Sequence, residues 1–473
     1  MNLSDIKTVH FTGIKGVGMT ALACVAKDFD MQVTGSDSAE EFVTDEILKR
    51  KGIPINEGFS PELIVQSKPG LVIYTAANNG ALNPEVIKAK EIGIPTFSQG
   101  EALGMFQKTK KGISVAGVGG KTTTTALLAT IFEKASQNPS YLVGAGSVPS
   151  LEFPGKYAKE GDVFIAEADE YVCSPQELRP KFYYQDPQVI LIPNLAFDHP
   201  DVYKNEEETL AVFSSFVNRL PKDGLLVICI DSPLSQKFVQ TITTTGTVIT
   251  YGESSEAFWR IENYSSNTKT LKAVSKEGEQ LSLSLTLPGK FNAKNALGAV
   301  LAARYFGISQ EQTQEGALLF KGLKRRFEHL KTLGSVIFYD DYAHHPEEIR
   351  ATLATVRREF GGKKVVAVFQ PHTFSRTKAL LAEFSKSFSD ADEVVITEIF
   401  PSAREQFDNS INGAMLCKEV AKYHRNVFFS GGRETTIEYL LQQKFHDSVV
   451  ISMGAGDVYK WMDEVVKNNP TYD

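Results

Sequence analysis

The apolar run Ile113–Ala116 stops at Gly117-Val118-Gly119-Gly120-Lys121-Thr122, and an apolar-periodic stretch follows at once. A strand that ends in glycines and restarts as a helix commits this part of the chain to an α/β layer, because the turn is tight and the helix must pack back on the sheet. The same geometry makes an anion cradle. Turn N–H groups point outward, and the helix dipole favours negative charge at its N-terminus. Lys121 is placed to reach the β- and γ-phosphates of a nucleotide, and the Thr122 hydroxyl to ligate Mg2+. Gly117, Gly119, Gly120 and Thr123 complete the cradle. A lysine and a threonine in register behind the last glycine favour this reading over a plain connecting turn. The motif is shorter than a full G-x-x-x-x-G-K-[ST], since Val115 stands where the first glycine would be.

Strand-like and helix-like segments alternate on both sides of this loop. Thr8–Thr12, Gln32–Gly35, Leu71–Thr75 and Ile94–Phe97 read as strands, with helices over Met19–Lys27 and Pro84–Glu91. That is βαβ order and implies a parallel sheet. A basic hinge, Lys108-Thr109-Lys110-Lys111-Gly112, leads into a second α/β unit with strands at Asp162–Glu167, Val189–Pro193 and Leu225–Ile230. From Val248 to Leu287 polar and apolar residues alternate, which predicts antiparallel strands on its flank, and Phe291–Tyr305 is an amphipathic helix. The alternation restarts with strands at Val336–Tyr339, Val365–Phe369, Glu393–Thr397 and Val449–Met453. The fold class is therefore α/β, with three consecutive α/β domains. An N-terminal Rossmann-like domain spans 1–107, a central P-loop ATPase-like domain with an antiparallel flank spans 108–322, and a C-terminal Rossmann-like domain spans 323–473. A length of 473 residues suits three domains.

Polar clusters fall at the ends of these strands, where ligands sit in open α/β sheets. Gly13-Ile14-Lys15-Gly16-Val17-Gly18-Met19 nearly matches a dinucleotide fingerprint, but Lys15 replaces the middle glycine. A side chain there obstructs a dinucleotide pyrophosphate, while a uridine diphosphate can still meet the helix N-terminus at Gly16, Val17, Gly18 and Met19. Asp37 lies where an acid meets a ribose, and Thr75 ends a neighbouring strand. Glu167-Ala168-Asp169-Glu170 follows a strand beside the phosphate loop, as carboxylates for Mg2+ would. Asp198-His199-Pro200-Asp201 follows another, which makes His199 a candidate metal ligand with Thr122 and Glu167. Asn292 and Asn295 share a helix face and can read an adenine edge. In Lys324-Arg325-Arg326, a guanidinium such as Arg326 at a domain junction can clamp phosphates. Asp340-Asp341-Tyr342-Ala343-His344-His345, then His372 to Arg376, then Gly454 to Asp457 follow further strands and should face one crevice.

Taken together, these stretches resemble the Mur ligases, the ATP-dependent amide-bond ligases of peptidoglycan assembly, whose phosphate loop has the same short form. His10 to Met19, Asp340 to Pro346, Phe369 to Thr377, Ile399 to Glu405 and Met453 to Asp457 carry the resemblance across all three domains. It implies a UDP-sugar-binding first domain, an ATP-binding central domain and an amino-acid-binding third domain, with ATP and Mg2+ as cofactors. It also implies two steps. A carboxylate of UDP-N-acetylmuramate takes the γ-phosphate, and an amine then displaces it. Lys121, Glu167, His199 and His345 are the candidate catalytic residues, His345 as a base. Thr122, Glu167 and His199 would bind metal, Asp341 and Arg326 the nucleotide, and His344, His372 and Arg376 the amino acid, with Arg376 offering a bidentate fork to its carboxylate. Three positions depart from the family pattern: Val118 and Gly119 in the loop, and Phe291 where a histidine would open the Ala-rich helix.

The C-terminal stretches look like the branch that adds L-alanine. The segment from Glu167 to His199 looks closer to the branch that attaches a preformed tripeptide, so that activity stays as an alternative, as does a non-catalytic nucleotide-sugar-binding protein. A nicotinamide oxidoreductase would leave the phosphate loop unexplained. A net charge of −7 gives no support for nucleic-acid binding, and four scattered cysteines suggest neither a disulfide framework nor a zinc knuckle. No signal peptide and no membrane-spanning run are read, so a cytoplasmic location is expected.

Overall fold

Three mainly parallel sheets succeed one another along the chain, in a computed structural model that describes residues 2–174, 177–199, 202–401 and 407–468. The first sheet holds β1 (Thr8–Thr12), β2 (Gln32–Asp37), β3 (Ile55–Glu57), β4 (Leu71–Tyr74) and β5 (Thr96–Ser98), in the order β3-β2-β1-β4-β5. Because β2 lies on one side of β1 and β4 on the other, the end of β1 is a topological switch point, the usual place for a ligand crevice. The chain leaves β1 through Gly13 and enters the helix Val17–Asp28. That helix lies directly on the next sheet: a Cβ on Gly155 would stand 1.9 Å from the Ala21 carbonyl oxygen. One apolar cluster accordingly joins Phe11 and Leu22 with Leu142, Phe164 and Ala166 of the second sheet.

The second sheet has ten strands. They are β6 (Lys111–Val115), β7 (Ser140–Leu142), β8 (Gly155–Lys156), β9 (Val163–Glu167), β12 (Pro187–Ile192), β13 (Leu225–Cys229), β14 (Thr247–Gly252), β15 (Trp259–Ser265), β16 (Thr270–Ser275) and β17 (Gln280–Ser284). Their order is β17-β16-β15-β14-β13-β12-β6-β9-β7-β8, and β10 (Val172–Ser174) with β11 (Glu177–Pro180) forms a separate antiparallel hairpin. β6 lies between β9 and β12 in parallel register, with Val115 level with Glu167 and Leu191, so three polar loops emerge together. The flank needs one correction. β14 pairs parallel with β13, and antiparallel pairing begins only at β15. The cause is the helix Pro233–Thr241, which the polar–apolar alternation does not reveal and which carries the chain back across the sheet as a crossover.

The third sheet contains β18 (Glu328–Leu333), β19 (Val336–Asp341), β20 (Lys364–Phe369), β21 (Glu393–Thr397), β22 (Val427–Gly431) and β23 (Ser448–Met453), ordered β18-β19-β23-β20-β21-β22. Asp341 and Phe369 both pair with Met453, so the three polar clusters expected to share a crevice start level on adjacent strands. Of the stretches named in the sequence, Pro200, Asp201 and Ser402 to Glu405 lie outside the described residues. No described helix is long and apolar enough to cross a membrane.

Candidate active site

The glycine loop after β6 is built so that only glycine fits at two positions. Gly117 has φ +114, and a Cβ there would stand 2.3 Å from the Asn194 carbonyl oxygen. Gly120 has φ +83, and its Cβ would meet Asn295 Oδ1 at 2.8 Å. The helix Lys121–Lys134 then begins with Lys121 itself. A helical Cβ leans toward the N-terminus, and Lys121 accordingly folds back along the loop. Its Nζ donates to the Gly117 carbonyl at 2.6 Å and to both Glu170 oxygens at 2.7 and 2.9 Å. Burial works against the charge of Lys121, but Glu170, with Asp169 behind it, outweighs that and raises its pKa.

Thr122 stands at the meeting point of two cavities. Its Oγ1 donates to Glu167 Oε2 at 3.1 Å and receives Arg326 Nη2 at 3.4 Å. Glu167 lines a cavity of about 300 Å3 on the first-sheet side. Arg326 lines one of about 220 Å3 between the second and third sheets. The Thr122–Glu167 oxygen pair fits Mg2+, which takes one or two carboxylates and otherwise waters and phosphate oxygens. Burial pushes the Glu167 carboxyl up, against the pull of the Gly144 N–H and Lys121. His199 does not join this pair. Its Nε2 lies 3.3 Å from Glu170 Oε1 and its Nδ1 3.4 Å from Arg376 Nη2. No three His, Cys, Asp or Glu side chains gather as a cage among the described residues. Of the three residues read as metal ligands, the structure brings Thr122 and Glu167 together and places His199 beside Glu170 and Arg376.

The cavity between the second and third sheets collects Gly119, Gly120, Thr123, Asn295, Arg326 and Asp341, all named from sequence. Asn295 Nδ2 is buried without a partner, a donor available to a ligand. Asn292 is different. Its amide donates to the Pro288 carbonyl at 2.7 Å, so it holds the helix start and does not line this cavity. Phe291 lines it in place of the family histidine. Asp341 accepts from Phe327 N at 3.0 Å and Ala343 N at 2.8 Å, and burial pushes its pKa up to about 7. Asp231 and Ser232 also line the cavity and are passed over by the sequence reading, although they follow β13 as the other polar clusters follow their strands.

The cavity on the first-sheet side is lined by Gly16, Val17, Gly18, Met19 and Thr75, together with Glu167, Asp169 and Lys181 of the second. Asp37, expected at a ribose, is not among them. It is buried beneath the loop, accepting Lys15 N at 2.7 Å and Ser38 N at 2.8 Å. Lys15 also turns inward, donating to the Ser38 and Glu40 carbonyls at 3.0 and 2.7 Å.

In the third sheet His344, His372 and Arg376 come together. His344 and His372 ring centres are 6.0 Å apart, and Arg376 Nη1 lies 3.3 Å from His372 Nδ1. Burial pushes the imidazoles of His344 and His372 down, to about 4 and about 3, so both are neutral near pH 7. Two expectations are corrected. The Arg376 fork is closed on Asp198, Nε to Oδ1 at 3.0 Å and Nη2 to Oδ2 at 3.2 Å, a buried pair joining the second and third sheets rather than an open carboxylate clamp. Although burial opposes it, His199 and Arg376 hold the Asp198 carboxyl well below the usual range. His345 caps the helix Pro346–Glu359, with Nδ1 accepting from Glu347 N and Nε2 donating to the Phe197 carbonyl, both at 3.3 Å. Both ring nitrogens are thus engaged with the backbone.

Family models match along most of the chain: "Mur ligase family, catalytic domain" over residues 8–111, "Mur ligase middle domain" over 115–303 and "Mur ligase, glutamate ligase domain" over 325–456. A UDP-N-acetylmuramate–L-alanine ligase of Desulfitobacterium hafniense is 38% identical over 96% of this chain and 98% of its own. The protein of that name in Caldanaerobacter subterraneus is 33% identical, over 99% of each. Among solved structures, UDP-N-acetylmuramate-alanine ligase from Thermotoga maritima superposes with a TM-score of 0.78 at 26% identity, covering 99% of this chain and 100% of that one. A murein peptide ligase from Psychrobacter arcticus shares the fold, with a TM-score of 0.70 at 21% identity over 98% of each chain.

Proposed function

The chain belongs to the Mur ligase family, and on that premise we propose that it joins L-alanine to the lactyl carboxylate of UDP-N-acetylmuramate at the expense of ATP, giving UDP-N-acetylmuramoyl-L-alanine, ADP and phosphate in the cytoplasm. The observation that carries the reading is the junction at Thr122, which touches Glu167 of one cavity and Arg326 of the other. A nucleotide held in the second cavity and an acid held in the first would meet there, as transfer of a phosphoryl group to a carboxylate requires. The full-length relatives named for L-alanine favour that amino acid over a tripeptide.

Each residue has a task in this scheme. Gly16 to Met19 present the N-terminus of a helix to the diphosphate of the sugar nucleotide. Asn295 offers its unpartnered amide to the adenine. Lys121 exchanges Glu170 for the phosphates, and Arg326 faces them from the third sheet. The lactyl carboxylate attacks the γ-phosphorus, ADP leaves, and an acyl phosphate forms. Such transfer rests on positioning and charge neutralisation more than on covalent help from the protein. Thr122 and Glu167 would hold Mg2+, which when bound lowers the repulsion between the reacting anions. The amine of L-alanine, brought in beside His344 and His372, then attacks the acyl carbon and phosphate departs. Because His345 is closed at both nitrogens, the amine proton passes to a substrate oxygen in this reading. We propose domain limits near residues 107 and 322, in keeping with the three sheets.

Phosphate release measured with ATP, Mg2+ and UDP-N-acetylmuramate, against L-Ala, L-Ser, Gly and L-Ala-γ-D-Glu peptides, tests the reading. Release should depend on the sugar nucleotide and be fastest with L-alanine. Faster release with a peptide, or none with any, would overturn it.

A further inference from the structure

The hairpin β10–β11 belongs to none of the three large sheets, and its base is closed by two backbone bonds, Lys181 N to the Tyr171 carbonyl at 3.0 Å and Phe182 N to the Asp169 carbonyl at 3.1 Å. This closure returns the chain so that Lys181 stands over Asp169, with Nζ 2.5 Å from Oδ2. Both side chains line the cavity on the first-sheet side. Gly100 fixes the position from the other side, since a Cβ there would stand 3.2 Å from both Cys173 Sγ and Lys181 Cβ.

The charges of this cavity call for such a group. Glu167 and Asp169 bring two carboxylates to its wall, and among the described residues Lys181 is its one lysine or arginine. Mg2+ at Glu167 would cover one of them, and an anionic acceptor still needs a cation beside Asp169. The helix N-terminus at Gly16 to Met19 lines the same cavity. Lys181 stands at its phosphate-loop end: its partner Asp169 lies two residues after Glu167, which is level with Val115 at the foot of the loop, and the next residue, Glu170, holds Lys121. The group that must arrive at that end is the carboxylate to be phosphorylated. Lys181 is 22% exposed at its side chain, accessible to a ligand yet desolvated enough for its charge to count.

We propose that Lys181 binds the lactyl carboxylate of the sugar nucleotide and aims it at the nucleotide, so that the hairpin is a device for delivering a cation to the acceptor. The inference rests on the acceptor being UDP-N-acetylmuramate. On binding, Lys181 shares its three N–H donors between Asp169 and the carboxylate, so Asp169 keeps the ammonium oriented.

Calorimetric titration of the full chain with UDP-N-acetylmuramate and with UDP-N-acetylglucosamine separates the possibilities, because the second ligand keeps the diphosphate and lacks the acid. Lys181→Met should lower affinity for the acid about tenfold or more, the size of one lost charge-assisted bond, and leave the other ligand within about twofold. Lys181→Arg should restore part of the loss, and the KM for ATP should stay unchanged. Equal losses for both ligands would assign Lys181 to the diphosphate and overturn the proposal, as would unchanged binding of both. If the methionine variant unfolds, Lys181→Gln, which keeps a hydrogen bond to Asp169, carries the same comparison. A wild-type chain that binds UDP-N-acetylglucosamine but not UDP-N-acetylmuramate would instead overturn the functional reading beneath it.

Discussion

The two glycine loops, Gly13 to Gly18 and Gly117 to Lys121, are the same supersecondary unit used in two ways. Each follows an inner strand of a parallel sheet and opens a helix, and each contains one lysine. In the first loop Lys15 lies inside the turn, before the helix. Its ammonium is drawn back onto the Ser38 and Glu40 carbonyls, and its own backbone N–H is held by Asp37. In the second loop Lys121 is the first helical residue, and the N-terminal lean of its side chain lays it across the loop beside Glu170. A shift of a few positions relative to the last glycine therefore decides whether a lysine braces a loop or serves a ligand. The presence of lysine in a glycine loop is not itself a sign of phosphate chemistry.

The largest test of this contrast is Lys121→Ala. Turnover measured by phosphate release should fall by about 10²–10³-fold, the scale of one lost preorganised electrostatic contact. Binding of the sugar nucleotide should persist, since Gly16 to Met19 lie in another cavity. Near-normal turnover would erase the distinction between the lysines. Lys15→Met should do the reverse. It removes two charged hydrogen bonds and should cost roughly 1–3 kcal/mol in denaturant unfolding, while the KM for ATP stays put. An unchanged stability with a raised ATP KM would give Lys15 the role assigned to Lys121. The smallest effect concerns Asp341, beside the second loop. Its pKa is pushed up to about 7 by burial, against an ordinary 3.8. The folded state therefore holds this proton more tightly than the unfolded chain. Its stabilising contribution is full below about pH 4 and is lost as pH rises through about 7. Unfolding of Asp341→Asn across that window should show a flatter decline than wild type, and parallel curves would count against the shift.

Sequence alone is a good guide wherever function follows from local chain geometry. Gly117, Gly120, Lys121 and Thr122 are neighbours in sequence and in space, and the strand–turn–helix unit leaves little freedom. The level ends of β19, β20 and β23 also follow from alternation, since parallel strands bring their C-terminal ends to one edge. What stays hidden is how each side chain spends its hydrogen bonds. His345 has the residue type of a base, yet the Phe197 carbonyl, 148 positions away, takes one of its nitrogens. Arg376 has the fork of a carboxylate clamp, but Asp198, 178 positions away, closes it. Asp37 and Asn292 are in the expected places and turn to nearby backbone groups instead. Lys181 carries no motif. Only the closing of a hairpin brings it to the cavity.

The Asp198–Arg376 pair has a consequence for motion. It is buried, doubly bonded, and spans the sheets that carry the phosphate loop and the histidine pair. A desolvated ion pair does not stretch by degrees, because separating it strands two charges in a poorly hydrated place. Any movement that parts the two sheets at this point breaks both of its bonds together. The junction between the two sheets would then behave as a gate with two positions rather than as a spring.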